Sequence, residues 1–148
     1  MTVNVRAVNE NEFFDWLELY SGYGEFYETP LTDEKALVVW SWLIDSDHEL
    51  KAFVAVDSND KPIGLAHYRE FARPLAGATG LYLDDLFVSP DARGAGVGSA
   101  LITALKEKAA NENFSVVRWI TASDNATAQR VYDKLANKTS WITYDLIP

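Results

Sequence analysis

The chain has 148 residues, a formal net charge of −9 at pH 7 and no cysteine. This length suits one domain with its own core, and the lack of cysteine excludes disulfides, thiolate metal sites and a cysteine nucleophile. The acidic balance disfavours nucleic-acid partners, and the sequence shows neither an apolar run of about 18 residues nor a signal-peptide pattern, so we expect a cytoplasmic protein with no membrane partner.

Side-chain periodicity predicts a strand and two helices in the first third of the chain. Residues 2–8 alternate apolar and polar side chains, as strands do, and residues 10–20 place apolar side chains at helical spacing. Residues 21–30 contain two glycines and a proline, so we expect them to break the first helix. A second helix is expected after Thr32, which is a suitable N-cap.

The remaining elements alternate between strands and helices. Residues 50–57 and 62–68 predict a hairpin, and residues 73–80 predict a second turn. The later segments predict a strand, glycine-rich loop and helix at 81–110, a strand at 115–121, a helix at 126–135 and a final strand at 140–147. The order β-α-α-β-β-β-α-β-α-β predicts one mixed α/β domain over residues 1–148.

Three glycines at alternate positions, in the sequence RGAGVG at residues 93–98, precede the third predicted helix. Glycine lets the backbone approach a ligand closely, and the first amides of a helix attract phosphate. The loop lacks the Lys-Ser/Thr of a nucleotide triphosphatase, and its third glycine comes one residue too early for a dinucleotide-binding motif. A phosphate or pyrophosphate site is therefore predicted, with a tight turn that binds nothing as the alternative.

This loop resembles the Q/R-x-x-G-x-G/A motif of the GCN5-related N-acetyltransferases (GNAT), and residues 86–92 resemble that family's fourth strand. The resemblance implies the GNAT fold, of α/β (α+β) class, with a mixed, mostly antiparallel sheet and flanking helices. It also implies acetyl-CoA as cosubstrate, and we expect no metal. The cofactor-binding residues it implies in this part of the chain are Leu86, Phe87, Val88, Arg93, Gly94, Ala95, Gly96, Val97, Gly98 and Ser99.

Asn125 and Tyr132 lie seven residues apart and therefore share one face of the last predicted helix, with Ala128 between them. On this pattern alone Tyr132 is a core tyrosine. The spacing also resembles the fourth helix of the GNAT family, which implies that Asn125 and Ala128 contact the cofactor and that Tyr132 protonates the departing CoA thiolate. Residues 119–144 resemble the histone and polyamine acetyltransferase branch, which implies a homodimer.

Asp84 and Asp85 are the candidate acidic catalytic residues. Neighbouring strand residues point to opposite faces unless a bulge intervenes, and the family resemblance implies a bulge here. An acid with a raised pKa serves as a base, whereas an ionised acid holds a substrate ammonium group. The alternative is that one of the pair only caps or neutralises a basic side chain.

Aromatic residues near the end of the first helix are the candidate acceptor site. By resemblance this segment walls the acceptor pocket, and aromatic faces suit a cationic amine. The substrate-binding residues predicted there are Tyr23, Phe26 and Tyr27, beside Tyr20. Core packing is the alternative for this cluster, and a structural role is favoured for the lone strand histidine, His67.

The predicted function is transfer of an acetyl group from acetyl-CoA to a primary amine by direct attack in a ternary complex. The acceptor is a small molecule or a peptide: a polyamine, a small amine or a lysine side chain. The backbone at Phe87 and Val88 polarises the carbonyl, and the lack of cysteine agrees with a mechanism without an acyl-enzyme. Transfer of a longer acyl group, or CoA binding without catalysis, are the alternatives.

Overall fold

The computed structural model describes residues 3–148, in which one five-stranded sheet carries helices on both faces. The strands are β1 (Asn4–Ala7), β2 (Lys51–Val56), β3 (Pro62–Arg73), β4 (Ala78–Val88) and β5 (Val117–Arg118). The helices are α1 (Phe13–Phe26), α2 (Asp33–Ile44), α3 (Val97–Asn111) and α4 (Ala126–Leu135), with a 3-10 turn at Pro90–Ala92. The strands neighbour one another in chain order, and among these described strands the β4–β5 pair is parallel and the other pairs are antiparallel.

Two apolar cores hold the helices to the sheet. On one face α3 packs its aliphatic side chains against β3 and β4, with Leu101 and Leu105 fully buried beside Leu81. On the other face α1 and α2 bring Trp16 and Trp40 together above the sheet, with ring centroids 5.1 Å apart. The sheet is therefore covered on both sides, which explains why its central strands carry apolar residues at consecutive positions.

Several predicted elements are confirmed close to their expected bounds. Thr32 caps α2, because its Oγ1 accepts a hydrogen bond from the amide of Lys35 at 3.2 Å. Helix α4 occupies residues 126–135, as expected, and β1 lies within the predicted first strand, although Thr2 is outside the described residues. No helix within residues 3–148 is long and apolar enough to cross a membrane.

The prediction that residues 21–30 break the first helix is wrong for its first half, because α1 continues through both glycines to Phe26. These glycines permit close packing. A Cβ at Gly22 would lie 2.8 Å from the ring of Phe87, and a Cβ at Gly24 would lie 2.7 Å from the carbonyl oxygen of Thr29. The helix end is thereby pressed against β4 and against the segment that leads to α2.

The β3–β4 hairpin is longer than predicted, because Arg73 still pairs with Ala78 and the turn is confined to the residues between them. The register changes between His67, which pairs with Asp85, and Tyr68, which pairs with Leu83. Asp84 is thus the extra residue of a bulge, at the place that the family resemblance implies.

The final strand predicted at residues 140–147 is wrong, since this segment has no regular structure and its apolar side chains are exposed. The preceding strand is also shorter than predicted, because β5 contains only Val117–Arg118. A terminal strand needs a neighbour to satisfy its backbone groups, and two paired residues of β5 offer too short an edge. The alternation of apolar and polar residues alone therefore predicted one strand too many and a β5 that is too long.

Candidate active site

The strands β4 and β5 part soon after they meet. Leu81 pairs with Val117 and Tyr82 pairs with Arg118, and no further β4–β5 pair occurs in the described chain. The edge of β4 from residue 83 to residue 88 therefore faces β5 without a strand partner among residues 3–148. The backbone groups that point away from β3 on this edge are available to an extended ligand, except the carbonyl oxygen of Val88, which accepts a hydrogen bond from Arg93. The predicted cofactor residues Leu86, Phe87 and Val88 lie on this edge.

The glycine loop ends at the N-terminus of α3. Gly96 is the N-cap in the left-handed conformation, with φ of 78°, and no side chain of the described residues caps the helix there. Gly94 has φ of 84°, and a Cβ at either glycine would project into open space with nothing within 4 Å. The first-turn amides thus face an open region at the positive end of the helix dipole, as a pyrophosphate site requires.

Arg93 is tied to the end of β4. Its Nε donates to the carbonyl oxygen of Val88 at 3.1 Å, and its guanidinium lies over the rings of Phe87 and Phe26, 5.3 and 5.8 Å from their centroids. Arg93, one of the predicted cofactor-binding residues, therefore also has a structural role, and its positive charge lies beside the glycine loop. Phe26, for which substrate binding is predicted, lies beside Arg93 and is 56% exposed.

Asp85 lies at the centre of a buried polar network. Its Oδ2 is 2.9 Å from Nδ1 of His67, and Nε2 of His67 accepts a hydrogen bond from Nε1 of Trp16 at 2.9 Å. The hydroxyl groups of Tyr20 and Tyr23 also interact with its carboxylate. Burial alone would raise the pKa of Asp85, but its hydrogen bond with His67 and the nearby hydroxyl groups of the two tyrosines hold that pKa below its ordinary value. Asp85 is therefore an anionic group with a weakly basic carboxylate.

Asp84 occupies a different environment, although it is the next residue. Its carboxylate pairs with Nε of Arg69, which lies 3.0 Å from Oδ2 and 3.3 Å from Oδ1. Burial raises the pKa of Asp84 above its ordinary value, and the Arg69 ion pair opposes this effect without cancelling it. The two neighbouring carboxyl groups thus have pKa values shifted in opposite directions, a pattern typical of an acid–base site.

A cavity of about 520 Å³ opens between the end of α1 and α2. Tyr20, Tyr23 and Tyr27 line it together with apolar residues of α2, whereas Glu34 and Lys35 contribute charge. Burial raises the pKa values of Tyr20 and Tyr23, and the nearby Asp85 raises them further, so both hydroxyl groups keep their protons. The two tyrosines therefore connect the Asp85 carboxylate with the wall of the cavity.

Tyr132 lies half-buried on α4, edge-on to Trp119 with 5.4 Å between ring centroids. Burial and the nearby Tyr27 raise the pKa of Tyr132, so its hydroxyl is protonated at neutral pH. Asn125 is the N-cap of α4, and its Oδ1 accepts a hydrogen bond from the amide of Ala128 at 3.2 Å. Asn125 and Ala128 thus contact each other. A cofactor group that bonded to Oδ1 of Asn125 would compete with the amide of Ala128 for that oxygen.

Trp16 and His67 were not predicted to belong to the site. Trp16 fits the apolar face of a helix, and one histidine on a strand carries no motif. The two residues are separated by 51 positions, so only the fold brings them together. The one available signal is their relation to the acidic pair: His67 and Arg69 are two residues apart on a strand, and each contacts one of the adjacent aspartates across the hairpin.

Comparison with known proteins gives a family match over most of the chain. A model described as "Acetyltransferase (GNAT) family" matches residues 14–136. The D-amino-acid N-acetyltransferase HPA3 of Saccharomyces cerevisiae is 30% identical over 141 residues, which cover 95% of this chain and 88% of the yeast protein.

Solved structures share the fold at lower sequence identity. Ribosomal-protein-alanine N-acetyltransferase from Brucella melitensis biovar Abortus 2308 has a TM-score of 0.82 and 18% identity, with 99% of each chain covered. Aminoglycoside N-acetyltransferase AAC(6')-Iy in complex with CoA has a TM-score of 0.82 and 20% identity, with 99% of this chain and 95% of that chain covered.

Proposed function

Because the chain belongs to the acetyltransferase (GNAT) family, and is an acetyl-CoA-dependent N-acetyltransferase, we propose that its acceptor is a small primary amine with an apolar substituent. We propose further that the amine attacks directly within a ternary complex. The observation that carries the choice of acceptor is the shared position of Tyr20 and Tyr23, whose hydroxyls interact with Asp85 while the same residues line the cavity.

The proposed cofactor site combines the open edge of β4 with the N-terminus of α3. Residues 93–99 would hold the pyrophosphate through backbone amides, and residues 86–88 would pair with the extended arm of the cofactor. Asn125 and Ala128 would border that arm from α4. Acetyl-CoA, when bound, supplies the acetyl group activated as a thioester. The unfilled space at Gly94 and Gly96 and the uncapped helix are the features that fit such a group.

In the proposed acceptor site the amine arrives as an ammonium ion held by Asp85. Its low pKa keeps Asp85 charged, and the rings of Tyr20, Tyr23 and Tyr27 provide faces for a cation and an apolar wall for the substituent. A polyamine would need further anionic groups, and among residues 3–148 Glu34 is the one acid that lines the cavity. The yeast relative is named for amino acids, which are also small amines with a substituent.

Proton transfer is divided between two residues in this proposal. Asp84, the carboxyl group with the raised pKa, removes a proton from the acceptor nitrogen so that its lone pair can attack. Tyr132 donates the proton of its hydroxyl to the sulfur that leaves, and its raised pKa keeps that proton in place beforehand. One N–C bond forms and one C–S bond breaks. The nitrogen releases its second proton to solvent as the amide forms, and Tyr132 and Asp84 return to their starting protonation states by exchange with solvent.

Arg69→Gln is expected to move the acid limb of the kcat–pH profile to higher pH. Burial raises the pKa of Asp84, and the hydrogen bond and positive charge of Arg69 restrain it, so removing Arg69 raises that pKa further. Asp84 must be unprotonated to act as a base, and the variant therefore loses activity sooner as the pH falls. Arg73→Gln on the same strand, where Arg73 contacts Ser115, is the control and should leave the limb in place. A limb that does not move with Arg69→Gln excludes Asp84 as the base.

Gly96→Ala is expected to weaken acetyl-CoA binding at least about tenfold, or ~1.4 kcal/mol. A Cβ would strain the left-handed N-cap and enter the space proposed for the pyrophosphate. Gly77→Ala is a matched control, because Gly77 also has positive φ and open surroundings but lies in the β3–β4 turn. Isothermal titration calorimetry should show weaker binding only for Gly96→Ala, and equal affinities would contradict the proposed cradle.

CoA release with a panel of amines tests the acceptor directly. Arylalkylamines and apolar amino acids should be acetylated with higher kcat/KM than spermidine or a lysine peptide at equal acetyl-CoA. A preference for spermidine or the peptide would overturn the proposed acceptor class. Repeating the assay with propionyl-CoA and butyryl-CoA tests the acyl group, since faster turnover with either would favour the longer-acyl alternative.

We also propose that the protein is a homodimer formed through its C-terminal segment, residues 140–147. Trp141, Tyr144 and Leu146 are each at least 85% exposed there, and a cleft of about 820 Å³ separates the segment from β5 and α4. A second copy is the fitting occupant, because an isologous contact would cover the same apolar residues in both chains. Sedimentation equilibrium should give a dimer that Trp141→Asp converts to a monomer; a monomeric unaltered protein refutes the contact.

A further inference from the structure

We propose that Trp16 and His67 are positioning residues, which fix the orientation of the Asp85 carboxylate through a single tautomer of His67. The structural part of this inference rests on the contacts of the three side chains alone. Its consequence for the reaction rests on the proposed function, in which Asp85 holds the acceptor ammonium.

The tautomer follows from what each group is able to donate. The Nε1–H of an indole is a donor only, so the His67 Nε2 that lies 2.9 Å from it must offer a lone pair. A neutral imidazole with its lone pair on Nε2 carries its hydrogen on Nδ1. That Nδ1 lies 2.9 Å from Oδ2 of Asp85 and donates to it. Trp16 therefore determines which nitrogen of His67 faces Asp85 as a donor.

Because Trp16 and His67 are buried, solvent cannot replace the hydrogen bonds between Trp16, His67 and Asp85. Trp16 and His67 are both 0% exposed, so water cannot replace either partner. In the other tautomer the N–H of His67 would face the N–H of Trp16, and its lone pair would face the carboxylate. Both hydrogen bonds would then be lost together. The contacts thus permit one tautomer and oppose the other at two places.

The bulge explains why Asp85 needs this support. His67 and Asp85 form the last regular pair before the register changes, and Asp84 is the extra residue beside them. Backbone pairing alone fixes a side chain poorly next to such an interruption. His67 holds Oδ2 and thereby determines the direction in which the carboxylate faces the acceptor. The ring of Tyr20 lies perpendicular to the ring of His67, with 4.6 Å between the two centroids, and limits rotation of the imidazole from the side of α1.

The test combines nitrogen NMR with kinetics. The chain has two histidines, so a His48→Gln variant assigns the ring signals of His67 in 15N-labelled protein. The unaltered protein should show the Nδ1–H tautomer of His67. Trp16→Phe should mix the tautomers and raise KM for the amine at least fivefold, with a smaller effect on kcat and an unchanged Kd for acetyl-CoA.

Trp40→Phe is the matched control. Trp40 packs against Trp16 in the same core and is 8% exposed, so this variant loses a similar volume without removing the donor to His67. It should keep both the tautomer and the amine KM. An Nε2–H tautomer in the unaltered protein overturns the proposal, as does an equal rise of amine KM in the two variants. If the tautomer is as stated but no amine is acetylated, the proposed acceptor fails and the positioning contact stands.

Discussion

Replacing Tyr132 by phenylalanine is expected to lower turnover at least tenfold while leaving the Kd for acetyl-CoA nearly unchanged. The hydroxyl is the one group that the variant lacks, and proton donation by a placed side chain contributes about 100-fold or more in enzymes. The ring would keep its edge-on contact with Trp119, so α4 should stay in place. Steady-state kinetics give the turnover, and calorimetry gives the affinity.

Tyr68→Phe provides the comparison for that experiment. Tyr68 is 5% exposed in the core beneath α3, and burial raises its pKa to about 12, so it keeps its proton at neutral pH as Tyr132 does. It lies outside the proposed site, and its variant should turn over at the unaltered rate. A fully active Tyr132→Phe would remove Tyr132 from the mechanism and leave it a packing residue.

Asp85→Asn should lower kcat/KM for the amine by at least about 30-fold, or ~2 kcal/mol, mainly through KM. Loss of one member of a buried charge pair typically costs this much or more, because the ammonium group would be desolvated without an anion. The affinity for acetyl-CoA should not change, because Asp85 is hydrogen-bonded to His67, whereas Arg93 at the start of the glycine loop is hydrogen-bonded to Val88. Kinetics at saturating acetyl-CoA with varied amine measure the effect.

Two checks accompany the Asp85→Asn experiment. Asp91→Asn changes an exposed acid after the end of β4 and should leave amine KM unaltered, which excludes a general effect of net charge. The melting temperature of Asp85→Asn is measured as well, because an asparagine amide has to accept the donors that now face a carboxylate. An unaltered amine KM in a folded Asp85→Asn protein would assign the ammonium to another group.

The local parts of the fold and of the candidate site were predictable because short-range chemistry determines them. The alternate glycines placed Gly96 at the start of α3, and the spacing of Asn125 and Tyr132 placed both on one helix. Thr32 is an N-cap for the same reason, since its oxygen reaches an amide three residues away. These features depend on contacts between residues close in the chain.

The parts that sequence reasoning missed depend on distant contacts. Gly22 is tolerated in α1 because the ring of Phe87 needs the space, and nothing near Gly22 in the sequence indicates this. The hydrogen bond between Trp16 and His67 joins residues 51 positions apart. The prediction of a strand at residues 140–147 failed for a related reason. The segment has the alternation of a strand, but β5 is too short to pair with it.

The short pairing of β4 with β5 has a consequence for the order in which substrates bind. In the described part of the chain, residues 3–148, two residue pairs join β5 to β4, and α4, which carries Tyr132, has no buried residue. A cofactor arm lying between the strands would bridge the part that carries Asp85 and the part that carries Tyr132. We therefore expect an ordered sequential reaction in which acetyl-CoA adds first, with slower amide hydrogen exchange in α4 once it is bound.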